Sequence, residues 1–158
     1  MAQREWDPEE AGEIIARHRD LPGAALPILH ALQAAFGYID KAAVPLIADA
    51  LNLSRAEVHG IVGFYHDFRS EPPGRHVLRV CRAEACQAMG AERLIAELEG
   101  RLGVRLGETS RDRRVTLEAV YCLGNCAASP AALLDGKLHG RLTPQLAERL
   151  LGEAGRRP

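Results

Sequence analysis

Apolar residues in the first 70 positions recur at helical spacing and predict four short helices. Asp7 and Pro8 are typical of a helix start, because an acidic N-cap and a proline at the first helical position favour it. Ser54 and Glu57 form a second such signal, a capping-box pattern. The four helices are predicted over about 8–19, 24–36, 44–51 and 55–64, and together they suggest a small bundle.

A break follows at residues 70–74, with the sequence Ser-Glu-Pro-Pro-Gly. Two prolines and a glycine cannot continue a helix, so this segment is the predicted domain boundary. We therefore expect a helical domain over residues 1–70 and a second domain over residues 75–158.

Beyond the boundary the pattern becomes β-rich, and apolar and polar residues alternate at 115–121. Asp135 and Gly136 separate two short apolar runs, which is a hairpin signal. The predicted class is α+β: a helical bundle followed by a mixed sheet of about four strands with helices against it. Strands are expected at 76–80, 115–121, 132–134 and 137–139, and helices at about 87–101 and 144–151.

Composition and charge narrow the possible functions. Twenty basic and 21 acidic side chains leave a net charge of −1, which gives no basic footprint for nucleic acid. The N-terminal residues lack the apolar stretch of a signal peptide, and no apolar segment approaches the length of a membrane span. We therefore expect a cytoplasmic protein with no direct membrane insertion.

The chain has four cysteines, in a C-x4-C pair and a C-x3-C pair separated by 35 residues. Cys81 and Cys86 follow the first predicted strand, whereas Cys122 and Cys126 follow the second. If these strands are parallel neighbours, their carboxyl ends bring both pairs to one edge of the sheet. The spacing therefore predicts a ligand that all four thiols share.

Several ligands are compatible with four thiols. A disulfide is disfavoured where no export signal is seen, and a redox dithiol is disfavoured because no C-x-x-C is present. Tetrahedral zinc is the main alternative, although its knuckles usually use a two-residue spacing in at least one pair. A [2Fe–2S] cluster is larger than one ion and suits the wider loops, so the spacing favours it.

Residues near the cysteines bear on the charge of such a cluster. Gly124 can adopt a backbone conformation that turns N–H groups inward. Arg79 and Arg82 would offset negative charge, although ordinary solvated arginines are the simpler interpretation. In the helical domain, Phe64 and Tyr65 are expected to pack against a helix end.

Longer segments also carry a family resemblance. They are LPILHALQAAFGYID, LNLSRAEVHGIVGFYHDF, CRAEAC, GETS, TLEAVYCLGNCAASP and DGKLHGRLTP. The chain resembles the thioredoxin-like [2Fe–2S] subunit found beside the flavin subunit in NADH-linked oxidoreductases. These include respiratory complex I, NAD-linked hydrogenases and NAD-dependent formate dehydrogenase. CRAEACQAMG and GFYHDFR look like the gamma subunit of the molybdenum-containing formate dehydrogenase.

This resemblance implies a thioredoxin-like second domain with Cys81, Cys86, Cys122 and Cys126 as the ligands of one [2Fe–2S] cluster. The helices would dock on a flavoprotein subunit that binds FMN and NAD. A second partner would be a catalytic subunit containing molybdenum and iron–sulfur centres. The chain would exchange single electrons with FMN in formate dehydrogenase or, alternatively, in complex I or a hydrogenase, and would have no turnover alone.

Overall fold

The computed structural model describes residues 5–154, which divide between Pro72 and Pro73 into two compact units. The first four residues of the first predicted domain and the last four of the second lie outside the described part of the chain. In the first unit, the four helices predicted from the sequence are confirmed. They are α1 (Pro8–His18), α2 (Ala25–Phe36), α3 (Ala43–Leu51) and α4 (Arg55–Phe64).

Local capping interactions define where these helices begin. The Asp7 carboxylate accepts hydrogen bonds from the first N–H groups of α1, at 2.9 and 3.4 Å. Ser54 and Glu57 form a reciprocal capping box at the start of α4, with contacts of 3.2 and 2.8 Å. Each cap satisfies backbone donors that have no partner within the helix, so both predicted starts hold.

The helices bury an apolar core but leave one aromatic side chain outside it. Among the described residues of α4, only Val58 is buried, whereas Phe64 is 74% exposed. Tyr65 contacts Phe68 edge-on and is also exposed. The expectation that Phe64 packs against the helix end is therefore wrong. The largest side chains of this core are Ile28, Leu29, Leu32, Phe36, Ile47 and Val58.

The second unit contains a four-stranded mixed sheet in the order β2-β1-β3-β4. The first two strands are parallel, and the other neighbours are antiparallel, which confirms the α+β class. The strands are β1 (His76–Cys81), β2 (Val115–Val120), β3 (Ala132–Leu134) and β4 (Lys137–His139). The helices are α5 (Glu84–Ala88), α6 (Ala91–Leu102) and α7 (Pro144–Ala154).

The first helical segment of this unit differs from the prediction. A single helix over 87–101 was expected, but α5 ends before Met89 and α6 begins after Gly90. Gly90 has a φ of 88°, a left-handed conformation in which an α-helix cannot continue. Cys86 consequently lies on a helix of its own.

The hairpin prediction is confirmed, and its turn also fastens it to β1. Asp135 and Gly136 have φ values of 50° and 82°, as a type I′ turn requires. The Asp135 carboxylate accepts the N–H of Val77 at 2.8 Å and lies 2.7 Å from Nδ1 of His76. One side chain therefore helps to hold β3 and β4 in register on the central strand.

No helix within residues 5–154 is long and apolar enough to cross a membrane.

Candidate metal centre

The parallel pairing of β1 and β2 determines where the cysteines lie. Cys81 is the last residue of β1 and is opposite Val120, the last residue of β2. Cys122 follows two residues beyond that strand, because β2 ends earlier than predicted. Both cysteine loops therefore leave the sheet at the same edge, as the spacing predicted.

The first thiol pair is buried. Cys81 and Cys86 are each 2% exposed, and the Cys86 thiol contacts the Cys81 sulfur. Burial raises the pKa of Cys81, but hydrogen bonds to its sulfur outweigh this effect and hold the pKa below its ordinary value. The donors are the N–H groups of Ala83, Cys122 and Leu123 together with the Cys86 thiol.

The second thiol pair is exposed. Cys126 forms a hydrogen bond with Cys122, and this bond together with the negative charge of the Cys122 thiolate raises the pKa of Cys126. The charges of Cys86 and Cys81 act in the same direction. All four sulfurs therefore belong to one electrostatically coupled group that joins two loops distant in sequence.

An unusual backbone conformation aims amide groups at this centre. Cys122 and Gly124 have φ values of 69° and 70°, in the left-handed region. The bend allows the N–H groups of Cys122 and Leu123 to donate to the Cys81 sulfur on the neighbouring loop. The expectation that the loop around Gly124 turns amide donors inward agrees with this geometry.

Two further residues support the site. The Cys86 thiol donates to Oγ of Ser129 at 3.5 Å, and the Ser129 hydroxyl donates to the Cys126 carbonyl at 2.8 Å. A Cβ placed on Gly140 would lie 2.7 Å from Cβ of Ala128, in the turn that contains Cys126. Sequence reasoning missed both, because neither contact leaves a periodic or motif signal.

The two arginines near the cysteines are already paired. Nε of Arg79 lies 2.9 Å from Glu118, and Arg82 forms a two-pronged contact with Glu92 at 2.8 and 3.0 Å. Each is about one-third exposed, so neither is simply solvated. Their charge is matched by these carboxylates, which leaves backbone N–H groups as the donors that contact the site.

The donor set and its grouping indicate which centre it can hold. In residues 5–154, no three His, Cys, Asp or Glu side chains surround one point in the manner of a single-ion site. The thiols instead make two contacts, Cys81 with Cys86 and Cys122 with Cys126. A cluster with two irons and four thiolates takes two thiolates at each iron. The arrangement fits such a cluster.

A sheet edge with four coupled thiols and inward-pointing amides defines an iron–sulfur protein of the ferredoxin class. A family model for the thioredoxin-like [2Fe–2S] ferredoxins matches residues 11–154. The chain belongs to this family, whose cofactor is a [2Fe–2S] cluster and whose role is electron transfer.

Individual relatives are similar over most of their length. A subunit of the NADH-quinone oxidoreductase of Pseudomonas aeruginosa is 35% identical over 134 residues, which is 85% of this chain and 81% of that protein. The subunit of the same name in Escherichia coli strain K12 is 36% identical over 143 residues, 90% and 86% of the two chains. The HndA subunit of the NADP-reducing hydrogenase of Solidesulfovibrio fructosivorans is 29% identical over 144 residues, 89% and 84%.

A solved structure shows the same fold. The crystal structure of an NAD⁺-reducing [NiFe]-hydrogenase in the air-oxidized state matches with a TM-score of 0.70 and 25% sequence identity. The match covers 88% of this chain. The chain spans only about a quarter of the length of the hydrogenase chain, because the match covers 24% of it.

Replacing Gly140 with Ala should disturb the Cys126 turn. The added methyl group would meet Ala128 and would lie 2.8 Å from Nδ2 of Asn125. Overpacking of this kind costs about 1–3 kcal/mol, so we expect a lower free energy of unfolding and less iron per chain. Denaturant unfolding and iron analysis measure the two effects.

Gly100→Ala is the matched control, because a Cβ at this exposed position in α6 meets nothing within 4 Å. It should stabilise the chain by about 0.5–1 kcal/mol and leave the iron content unchanged. Equal behaviour of the two variants would contradict the tight contact at Gly140.

Proposed function

We propose that Cys81, Cys86, Cys122 and Cys126 hold the [2Fe–2S] cluster, and that the chain is an electron-transfer subunit of an NADH-linked oxidoreductase. The observation that carries this proposal is the meeting of two thiol pairs at the carboxyl edge of β1 and β2. When bound, an all-thiolate centre of this kind supplies one-electron chemistry at low potential, on the order of −400 mV. Such a potential suits exchange with the NADH level.

The chain's own groups would perform different tasks at this site. The N–H groups that reach Cys81 stabilise thiolate charge where water is excluded. Cys122 and Cys126 lie at the surface, so electrons would cross the shorter path to solvent or to a partner on their side. No step in this scheme requires a catalytic acid, base or nucleophile from the chain, and we expect no turnover from the isolated protein.

The relatives support a nicotinamide-linked partner. Their names describe a quinone reductase that uses NADH and hydrogenases that reduce NADP or NAD⁺. In each, a nicotinamide reaction is coupled to a second redox reaction. We propose that this chain exchanges single electrons with the FMN of a flavoprotein subunit that binds NAD, in the cytoplasm.

For the parent complex we propose an NAD-dependent formate dehydrogenase with a molybdenum-containing catalytic subunit. The support is the resemblance of two segments, 81–90 and 63–69, to the gamma subunit of that enzyme. Complex I and an NAD-linked hydrogenase are the alternative. The 35–36% identity to the NADH-quinone oxidoreductase relatives and the 29% identity to HndA favour that alternative.

We also propose that the first unit docks on the flavoprotein subunit through α4. The outer face of this helix forms a shallow apolar groove next to the exposed ring of Phe64. Gly60 and Gly63 on α4 are exposed, and a Cβ at either would meet nothing within 4 Å. The missing side chains leave room for a close approach by another chain. The groove is lined by Leu53, Glu57, Gly60, Ile61, Phe64 and Tyr65.

Single Cys→Ser variants test the ligand set. Each of the four should lose most of its iron and inorganic sulfide, because serine does not supply a thiolate. The helical circular dichroism of the first unit should persist, since its core contains no cysteine. Ala127→Ser is the matched control, because it adds a hydroxyl to the same loop and keeps every thiol.

The wild-type chain should contain about two irons and two sulfides and give an EPR signal when reduced. A colourless chain with stoichiometric zinc would instead establish a zinc-stabilised interaction domain, which is the remaining alternative. Wild-type iron content in all four Cys→Ser variants would overturn the ligand assignment.

Phe64→Glu tests the docking groove. A charge at this position should weaken capture of the flavoprotein subunit by at least about tenfold, because burying an unpaired carboxylate is costly. Leu21→Glu is the control, since Leu21 is also exposed but lies outside the groove. Co-expression followed by affinity purification measures the ratio of the two chains. Equal loss in both variants would contradict docking through α4.

Purification of the tagged chain from its native host tests the parent complex. A molybdenum-containing subunit in the recovered assembly, with formate-dependent NAD⁺ reduction, is the expected result. Recovery with quinone-reducing or hydrogen-oxidising subunits would establish the alternative.

A further inference from the structure

We propose that Cys122 and Cys126 form a reversible intramolecular disulfide when the chain contains no cluster, and that this disulfide blocks cluster loading. The oxidant class is a small-molecule disulfide such as oxidised glutathione. The disulfide itself needs only the geometry of the two thiols. Its effect on loading rests on the proposed function, in which both thiols are ligands.

The exposed pair is arranged for this reaction. Cys122 and Cys126 are exposed, and their side chains are hydrogen-bonded to each other. Only three residues separate them, so closing the ring costs little chain entropy. The positive φ values at Cys122 and Gly124 already bend this loop back on itself. The thiols therefore meet without a large rearrangement of the sheet.

The other pair is protected from the same reaction. Thiol–disulfide exchange requires the oxidant to reach the attacked or attacking sulfur. Cys81 and Cys86 are each 2% exposed, and three backbone N–H groups contact the Cys81 sulfur. The two contacts in the site thus differ in access, which makes oxidation selective for the exposed pair.

The exchange balances in two steps. One cysteine thiolate attacks glutathione disulfide, which breaks the glutathione S–S bond, forms a mixed disulfide and releases one glutathione thiolate. The second cysteine then attacks the protein sulfur of the mixed disulfide and releases the second glutathione. Two electrons pass from the cysteine sulfurs to glutathione, and the two cysteine protons go to the released thiolates. A dithiol reductant reverses the reaction.

Peptide mapping of the full-length, cluster-free chain tests the site. After oxidised glutathione, free thiols are alkylated under denaturing conditions and the chain is cut with trypsin. Cleavage after Arg114 and Lys137 releases Cys122 and Cys126 on one peptide, whereas cleavage after Arg82 separates Cys81 from Cys86. We expect the 115–137 peptide to lose two hydrogens and remain unalkylated, with Cys81 and Cys86 fully alkylated.

Two variants sharpen the result. Cys126→Ser should stop at a mixed disulfide between Cys122 and glutathione, because no resolving thiol remains. Cys86→Ser is the matched control and should still form the 122–126 disulfide. Preferential oxidation of Cys81 and Cys86, a disulfide between the two loops, or four free thiols would overturn the proposal. Far-UV circular dichroism checks that each cluster-free chain is folded.

The loading effect is measured separately. The oxidised chain should fail to take up ferrous iron and sulfide, and treatment with dithiothreitol should restore uptake to the level of the reduced chain. Equal uptake by the oxidised and reduced chains would contradict a block on loading. The peptide map does not depend on which residues bind iron, so failure of the ligand assignment is distinguishable from failure of this proposal.

Discussion

The parallel pairing of β1 with β2 is the constraint on which the site depends. Six residue pairs run in register from His76 with Val115 to Cys81 with Val120, and the strands meet the cysteine loops at one edge. A slip of one residue would move a loop by about 3.3 Å and turn alternate side chains to the opposite face. Buried apolar side chains of both strands oppose such a slip, namely Leu78, Val80, Val115 and Leu117.

Charge is the second problem that the fold solves. Bringing four thiolates together would be costly without nearby donors, and Arg79 and Arg82 are already paired with glutamates. Backbone N–H groups from two loops contact the buried Cys81 sulfur instead. One thiol pair is therefore stabilised in the interior while the other stays accessible. This asymmetry underlies both the proposed route for electrons and the proposed disulfide.

Much of this arrangement follows from sequence pattern. Helix caps, the Asp135–Gly136 turn and the period of apolar residues predict the helices and strands, because these signals act within a few residues. The helix break at Gly90 was missed, since a glycine is also tolerated within a helix. The convergence of the cysteines followed from assuming parallel strands. The contacts of Ser129 and Gly140 depend on tertiary packing, which no local pattern encodes.

The central claim is that four thiols hold one two-iron centre that carries a single electron. A reductive titration of the purified chain, with iron and sulfide determined on the same sample, tests it most directly. The account predicts about one electron taken up for every two irons and two sulfides, with one unpaired spin per reduced chain. Stoichiometric zinc with no electron uptake, or two electrons taken up by a cysteine disulfide in the iron-free chain alone, would contradict it.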